Sequence, residues 1–370
     1  MKLVAISETT AKQWNAFVAH WPDFELMQTY EWGTFKETLG WKAVRLAVEQ
    51  DGQLVAGAQM LIKPLPLGLA SVAYVPRGPL LRWEDESVAQ ALLSAMHAAA
   101  RRYRAILLKI EPADRCSSVM QQRLQANGFC LSGYNNQPRC SMLIDLTPDN
   151  DTILANMHKT TRYNIRYSAR QGVVIREGTD GDLNTFCHLM EYTAKRASFP
   201  ARSPSYYRQE WGTFRPLGRL KLLLAIYEGE VLAARMPVAF GGKAATFHSA
   251  SFGTHRDLKP NELLMWESIQ WAKSQGCTLY DVWGIPDEVG EHLYQGQPLP
   301  VKQGGGLWGV YEFKRGFGGD VVYYVGAYDY IYSRSLYRLI SALIARLGSI
   351  DRLAQVGDWL NLRPDHPTGL

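Results

Sequence analysis

Cysteine is scarce in this chain. The five residues, Cys116, Cys130, Cys140, Cys187 and Cys277, are odd in number, widely spaced and never form a C-x-x-C pair. They support neither a disulfide framework nor a zinc site, and read instead as small apolar packing residues in a reducing compartment. Long apolar runs are also missing: no stretch of about 18 residues could span a bilayer. The opening MKLVAISETTAKQW lacks the apolar core of a secretory signal, so the expected compartment is the cytoplasm. Three chemical motifs are absent as well, the G-x-x-x-x-G-K-[ST] phosphate loop, the H-E-x-x-H zinc helix and the G-x-S-x-G nucleophile elbow. Nothing nominates a metal or an organic cofactor.

What is present is ordinary globular material, 370 residues with 46% hydrophobic and 20% charged side chains, enough for two domain cores. The net charge of +5 favours an anionic partner such as tRNA, a nucleotide sugar or an anionic lipid surface, without choosing among them. The pattern of elements occurs twice. WKAVRLAVEQDGQLVAGAQMLI predicts a hairpin, SVAYVPRGP a strand, residues 89–102 a helix and AILLKIEP a buried strand. Roughly 175 residues later the same order returns in RLKLLLAIYEGEVLAARMPVAF, AATFHSASF, NELLMWESIQWAKSQG and TLYDVWGIP. Asp51-Gly52 and Glu228-Gly229 hold matching turn positions. Hairpin, strand, helix and strand suit the GNAT acyltransferase fold and an α+β class. Leu146-Thr-Pro-Asp-Asn150 reads as the boundary, giving domains at 1–147 and 148–345 and a tail at 346–370, with Asp149, Asn150 or Asp151 capping the next helix.

Near the end, YEFKRGFGG at 311–319 sets Lys314 between aromatics and directly before glycines. Locally this is either a strand end with a turn or a held ammonium able to stabilise an oxyanion or phosphate. KTTRYNIRYSARQGV at 159–173 is basic and aromatic: His158, Arg162, Arg166 and Arg170 fall at i, i+4 steps, with Lys159, Tyr163 and Tyr167 beside them. That stripe suits a solvated face or a phosphate-binding one. Together with KPNELLMWESIQWAKSQGCTLYDVWGIP at 259–286 and QTYEWGTFK at 28–36, these segments resemble the FemABX peptidyltransferases across nearly the whole chain. Without a sustained heptad run, the chain resembles the compact members that lack a coiled-coil arm.

The resemblance implies tandem GNAT-like domains, each a mixed twisted sheet flanked by helices. It also implies transfer of an amino acid from aminoacyl-tRNA to the stem-peptide amine of a peptidoglycan precursor, nucleotide-linked or lipid-linked, with no cofactor. A peripheral contact at the inner face of the plasma membrane fits such an acceptor. It implies Lys314 as the charge-stabilising catalytic residue, with Phe313 stacking on the terminal adenosine, and a tRNA face made of Lys159, Arg162, Arg166 and Arg170. Arg202, Tyr206 and Lys36 are implied at the precursor's diphosphate and cleft; a planar guanidinium suits phosphate oxygens. Glu111 stands where the family's K-I-D-P pattern carries an aspartate, and is a candidate to take or bind the attacking amine. Asp281 occupies the equivalent strand of the second copy and is a candidate to orient structure or bind substrate rather than to abstract a proton. His248 stands where the family's strand ending Tyr-Gly-Ala-Ser carries a substrate-binding tyrosine, since this chain reads Phe247-His-Ser-Ala-Ser251, and it is a substrate-binding candidate in that tyrosine's place. The competing readings are an acyl-CoA-dependent N-acyltransferase and a non-catalytic tRNA or cell-envelope binding protein. VPRGPLLRW and THRDLKPNELL lack the glycine spacing of an acyl-CoA pyrophosphate loop, which disfavours the first.

Overall fold

Two hairpin turns set the register of both halves of the molecule. Asp51-Gly52 and Glu228-Gly229 adopt φ of 51°, 79°, 48° and 83°, paired left-handed conformations that match the twist of the strands they join. The computed structural model describes residues 1–347 apart from 23–24, 66–67, 198–200 and 301–306, so the expected tail lies outside them from residue 348. In chain order come β1 (Lys2–Ala5), α1 (Ala11–His20), α2 (Tyr30–Glu37), β2 (Lys42–Gln50), β3 (Gln53–Pro64) and β4 (Ser71–Pro76). Then follow α3 (Glu86–Arg102), β5 (Ala105–Glu111), α4 (Ser118–Ala126), β6 (Cys130–Leu131), β7 (Cys140–Asp145), α5 (Asn150–Asn156), α6 (Lys159–Arg170), β8 (Val174–Glu177), α7 (Leu183–Ala197) and α8 (Pro204–Phe214). The rest is β9 (Leu223–Tyr227), β10 (Glu230–Phe240), β11 (Lys243–Ser251), α9 (Pro260–Ser274), β12 (Leu279–Asp281), α10 (Asp287–Tyr294), α11 (Trp308–Arg315), β13 (Asp320–Tyr323), β14 (Tyr328–Ile331) and α12 (Arg334–Leu347).

Helix starts follow the capping rule. Asp85, Ser117, Asp149 and Ser203 each accept a backbone N–H from the first turn of the helix that follows.

One seven-stranded sheet runs β1-β2-β3-β4-β5-β14-β6 and the other β13-β7-β12-β11-β10-β9-β8. In each, a single parallel pair, β4/β5 or β11/β12, is joined by a crossover helix, α3 or α9, which packs its apolar face on the sheet. The tandem α+β GNAT-like class is the one observed.

The division of the chain differs from the expectation of 1–147 and 148–345. One unit comprises Met1–Phe17, Met27–Gln137 and the chain from Val325; the other comprises Val18–Leu26 and Pro138–Tyr324. β7, expected to close the first domain, pairs with β12 and β13 and buries Cys140, Met142 and Ile144 in the second core. β14, expected in the second domain, pairs antiparallel with β5 and β6. An apolar run shows that a strand is buried; it does not say in which sheet.

The return of β14 is fixed by a buried ion pair. Lys109 on β5 and Asp329 on β14, 0% and 1% exposed, lie 3.0 Å apart. Ser132 accepts from Lys109 and donates to Asp329 at 2.7 Å, and the Tyr337 hydroxyl donates to Asp329 at 2.9 Å. Lys109 also lies 3.9 Å from the Tyr134 ring centre. Removing one partner leaves the other charge uncompensated in a dry site, which costs about 3 to 5 kcal/mol. Lys109→Met is therefore expected to lower the unfolding free energy of the first unit by that amount in urea titrations followed by circular dichroism, whereas Lys42→Met, at an exposed position, leaves the midpoint unchanged.

Candidate functional site at a parting pair of strands

In the second unit the parallel strands separate. β11 pairs with β12 only from Lys243↔Leu279 to Ala245↔Asp281, yet β11 continues to Ser251 along β10. An extra residue, Phe247, interrupts that ladder: Met236 faces His248 while Pro237 faces Thr246. Pro237 has no N–H to give, so a bulge opposite it costs no hydrogen bond. In the first unit the corresponding pair stays together to its last residues, Pro76↔Glu111. The opening belongs to one copy of the duplicated scaffold.

Asp281 ends β12 at this opening with its side chain 0% exposed. One carboxylate oxygen accepts from the Ser141 hydroxyl and from the Trp283 amide at 2.8 Å; the other lies 3.4 Å from the Lys243 ammonium. Lys243 also pairs with buried Glu25, and those carboxylates raise its pKa above the ordinary lysine value against the opposing effect of burial. Trp283 then takes φ of 63°, an uncommon conformation for a bulky residue, and its ring lies 4.4 Å from that of Phe247.

Lys314 meets this turn from the last turn of α11, not from a strand end. Its ammonium donates to the carbonyls of Trp283 and Gly284 at 3.0 and 2.7 Å. An ammonium has three N–H donors, so one has no partner among the described residues. Burial, with Arg235 nearby, lowers the Lys314 pKa to about 8, while Asp281 opposes the shift. The glycines after it serve protein contacts. A Cβ on Gly316 would lie 2.3 Å from Thr161 Oγ1 on α6, and one on Gly319, at φ of 102°, 2.6 Å from the Leu143 carbonyl on β7. Phe313 is half-buried and edge-on to Phe317 at 5.1 Å, packed against the core.

Arg202, Tyr206 and His248 come together on the other flank of the opening. Pro204 at the first turn and Ser203 as cap start α8, which presents Tyr206, Tyr207 and Glu210 at helical spacing. The Arg202 guanidinium sits 5.2 Å over the Tyr206 ring, and His248 is edge-on to Tyr206 and Tyr207 at 6.1 and 5.1 Å. Its Nε2 approaches Glu210 at 2.8 Å.

The basic stripe divides on folding. Arg162 turns to the carbonyls of Ala155 and Met157, both at 2.6 Å, and so closes the end of α5. Lys159, Arg166 and Arg170 stay exposed beside Tyr163 and Tyr167, whose rings stack at 5.8 Å, opposite the buried Thr161, Ile165 and Ser168.

Glu111 and Lys36 lie in the first unit. Both Glu111 oxygens are engaged, one by the Tyr74 hydroxyl and the other by the amides of Asn136 and Gln137 at 2.5 and 3.4 Å; burial raises its pKa against these contacts. This arrangement holds the 134–137 loop. Lys36 is buried with its ammonium 5.3 Å from the Trp41 ring centre. Its QTYEWGTFK segment is pinned by Gln28, which donates to the Pro76 carbonyl at 2.6 Å and accepts the Gln59 amide at 2.8 Å. Glu25, Lys243 and Glu210 are the site residues that sequence reasoning missed. Each gains meaning only from a partner at least 38 positions away.

The profile of the FemAB family matches residues 9–228 and 223–344. The lipid II:glycine glycyltransferase of Staphylococcus aureus is 24% identical over 417 aligned positions, covering 91% of this chain and 95% of its own. Among solved structures, FemX superposes with a TM-score of 0.81 at 23% identity, covering 92% of this chain and 100% of its own. A tandem GNAT protein from the clavulanic acid biosynthesis pathway superposes at 0.53 with 13% identity, over 89% and 97%. The two structural likenesses establish the tandem fold, and the family profile spans most of the sequence: this chain belongs to the FemAB family and is a transferase.

Proposed function

We propose that the chain moves an aminoacyl group from aminoacyl-tRNA to the stem-peptide amine of a peptidoglycan precursor, forming a peptide bond. The observation that carries this reading is the Lys314 ammonium, fixed by two carbonyls where the parallel pair β11/β12 parts, with a donor remaining. Family membership supplies the reaction class, and the Staphylococcus aureus relative is named for glycine transfer on lipid II. An aminoacyl ester is already activated, so positioning and oxyanion stabilisation account for most of the catalysis required. The amine attacks the ester carbonyl, the developing oxyanion takes the remaining Lys314 N–H, and the ribose oxygen leaves. Arg202 over Tyr206 offers a fork for the acceptor's diphosphate, and Lys159, Arg166 and Arg170 offer an anionic strand a phosphate-binding face. Such an acceptor, if lipid-linked, brings the enzyme to a membrane surface; no helix among the described residues is long and apolar enough to cross one.

The direct test incubates purified protein with separately charged tRNAs and with nucleotide-linked or lipid-linked precursor, and weighs the products by mass spectrometry. Peptide-bonded product is expected from at least one charged tRNA; transfer from acetyl-CoA alone would make the chain an acyl-CoA enzyme. Lys314→Met is expected to lower turnover by roughly 10² or more while the protein stays folded. Because the Lys314 pKa lies at about 8, its ammonium is lost as pH rises through that value, so wild-type turnover falls there and the variant shows no such fall.

The two anionic ligands separate by mutation. Replacing Arg166 and Arg170 by serine is expected to weaken tRNA binding and flatten its salt dependence by about two released counterions, with precursor affinity unchanged. Arg202→Lys keeps the charge and loses the fork, so affinity for the diphosphate-bearing precursor is expected to fall roughly 10-fold or more in calorimetric titrations. Affinity for a stem peptide without diphosphate stays constant.

A further inference from the structure

Glu210 is 0% exposed on α8, and neither of its carboxylate oxygens has a hydrogen-bond partner among the described residues. An ionised carboxylate buried without donors is costly, and such groups persist where a function holds them. Among the described residues its close polar neighbour is His248 Nε2, at 2.8 Å. The approach lies off the ring's N–H axis, since Nε2 is also sealed without a hydrogen bond, so the contact is electrostatic and strengthens when the ring gains a proton. Beside a carboxylate the favoured tautomer turns the positive end of its N–H dipole to the charge, so Nε2 carries the proton and the lone pair falls to Nδ1. Nε2 is sealed, so the 12% of exposure that the side chain keeps lies elsewhere on it.

His248 follows the bulged Phe247, whose ring contacts Trp283, whose carbonyl in turn holds Lys314. Imidazole, backing carboxylate and ammonium thus border the same parted strands. The groups facing the imidazole are Glu210, Tyr206 and Tyr207 on α8, with Arg202 over Tyr206. From α7, Cys187 acts on Tyr207, and Arg196 binds the Ser251 carbonyl three residues along β11. Glu210 is the charge in contact with the ring.

We propose that His248, backed by Glu210, is the general base that deprotonates the acceptor amine, a step that rests on the aminoacyl-transfer reading above. Nδ1 takes one proton from the acceptor's ammonium and passes it to solvent. The freed nitrogen forms the C–N bond as the ester C–O bond breaks; its second proton goes to the departing ribose oxygen, and the third stays on the new amide. Glu210 stabilises the transient imidazolium and is a positioning residue.

The test measures transfer by full-length protein across pH 5.5 to 9, with the charged tRNA and precursor that wild type uses, for wild type, His248→Gln, His248→Tyr and Glu210→Gln. His248→Gln is expected to lower kcat by roughly 10² to 10⁴, leave the acceptor KM within a few-fold and abolish the acid limb of the profile. Glu210→Gln removes the carboxylate that backs the ring, so kcat is expected to fall while the acceptor KM stays within a few-fold. His248→Tyr keeps a polar ring that does not titrate near neutrality, and is expected to lose the limb too. A rise in KM alone, or an unchanged limb in the His248 variants, would make His248 a binding residue and overturn the proposal. Should Glu210→Gln fail to fold, the two His248 variants decide. Wild type that transfers from no charged tRNA removes the parent reading and this step together, whereas active wild type with unaltered variants removes this step alone.

Discussion

The second unit is organised around the carboxylate of Asp281. It has no access to water, and the structure gives it a hydroxyl, a backbone amide and an ammonium instead. β12 ends at Asp281, and the chain turns at Trp283. The turn exposes two successive carbonyls to Lys314. Without that anchor the lysine would be a flexible cation with several rotamers; with it, the ammonium has a defined position and a pKa that keeps it charged at neutral pH. Lys243 and Glu25 extend the arrangement by compensating a charge that would otherwise be buried alone.

Much of the scaffold was legible. Period-two alternation and positive-φ turn residues located both hairpins, and a capping residue located the helix after Asp149. Those signals are local, and local physics fixes them. The sheet membership of β7 and β14 was not legible, because it depends on which partner edge a buried strand meets. α11 looked like a strand end because Trp308, Tyr311 and Phe313 have strand propensity; Trp308 and Tyr311, three apart, instead share one buried helix face. The site was legible in part. Lys314, Asp281, Arg202, Tyr206 and His248 lie along one opening, whereas Glu210 and Lys243 carried no signal in sequence beyond being charged. Pro237 inside β10 was a readable sign of the bulge, since a proline within a strand marks an interrupted ladder.

Duplication has given two similar sheets different internal ends. In the first unit Glu111 draws the Tyr74 hydroxyl and two loop amides onto the end of its parallel pair, so the strands finish together. In the second, the equivalent end is held apart by Asp281 and the Phe247 bulge. Where the carboxylate spends its contacts decides whether the fold offers a closed edge or an accessible one.

The path of β14 has a temporal meaning. It is the sixth strand across the first sheet but the last in sequence among the described residues, and everything from Pro138 to Tyr324 is threaded between it and the strands it joins. During vectorial synthesis β5 therefore waits, with its outer edge unpaired and Lys109 lacking Asp329, until residue 331 has left the ribosome. By then every strand of the inner unit has already been made. The unit that begins first is the one that finishes last.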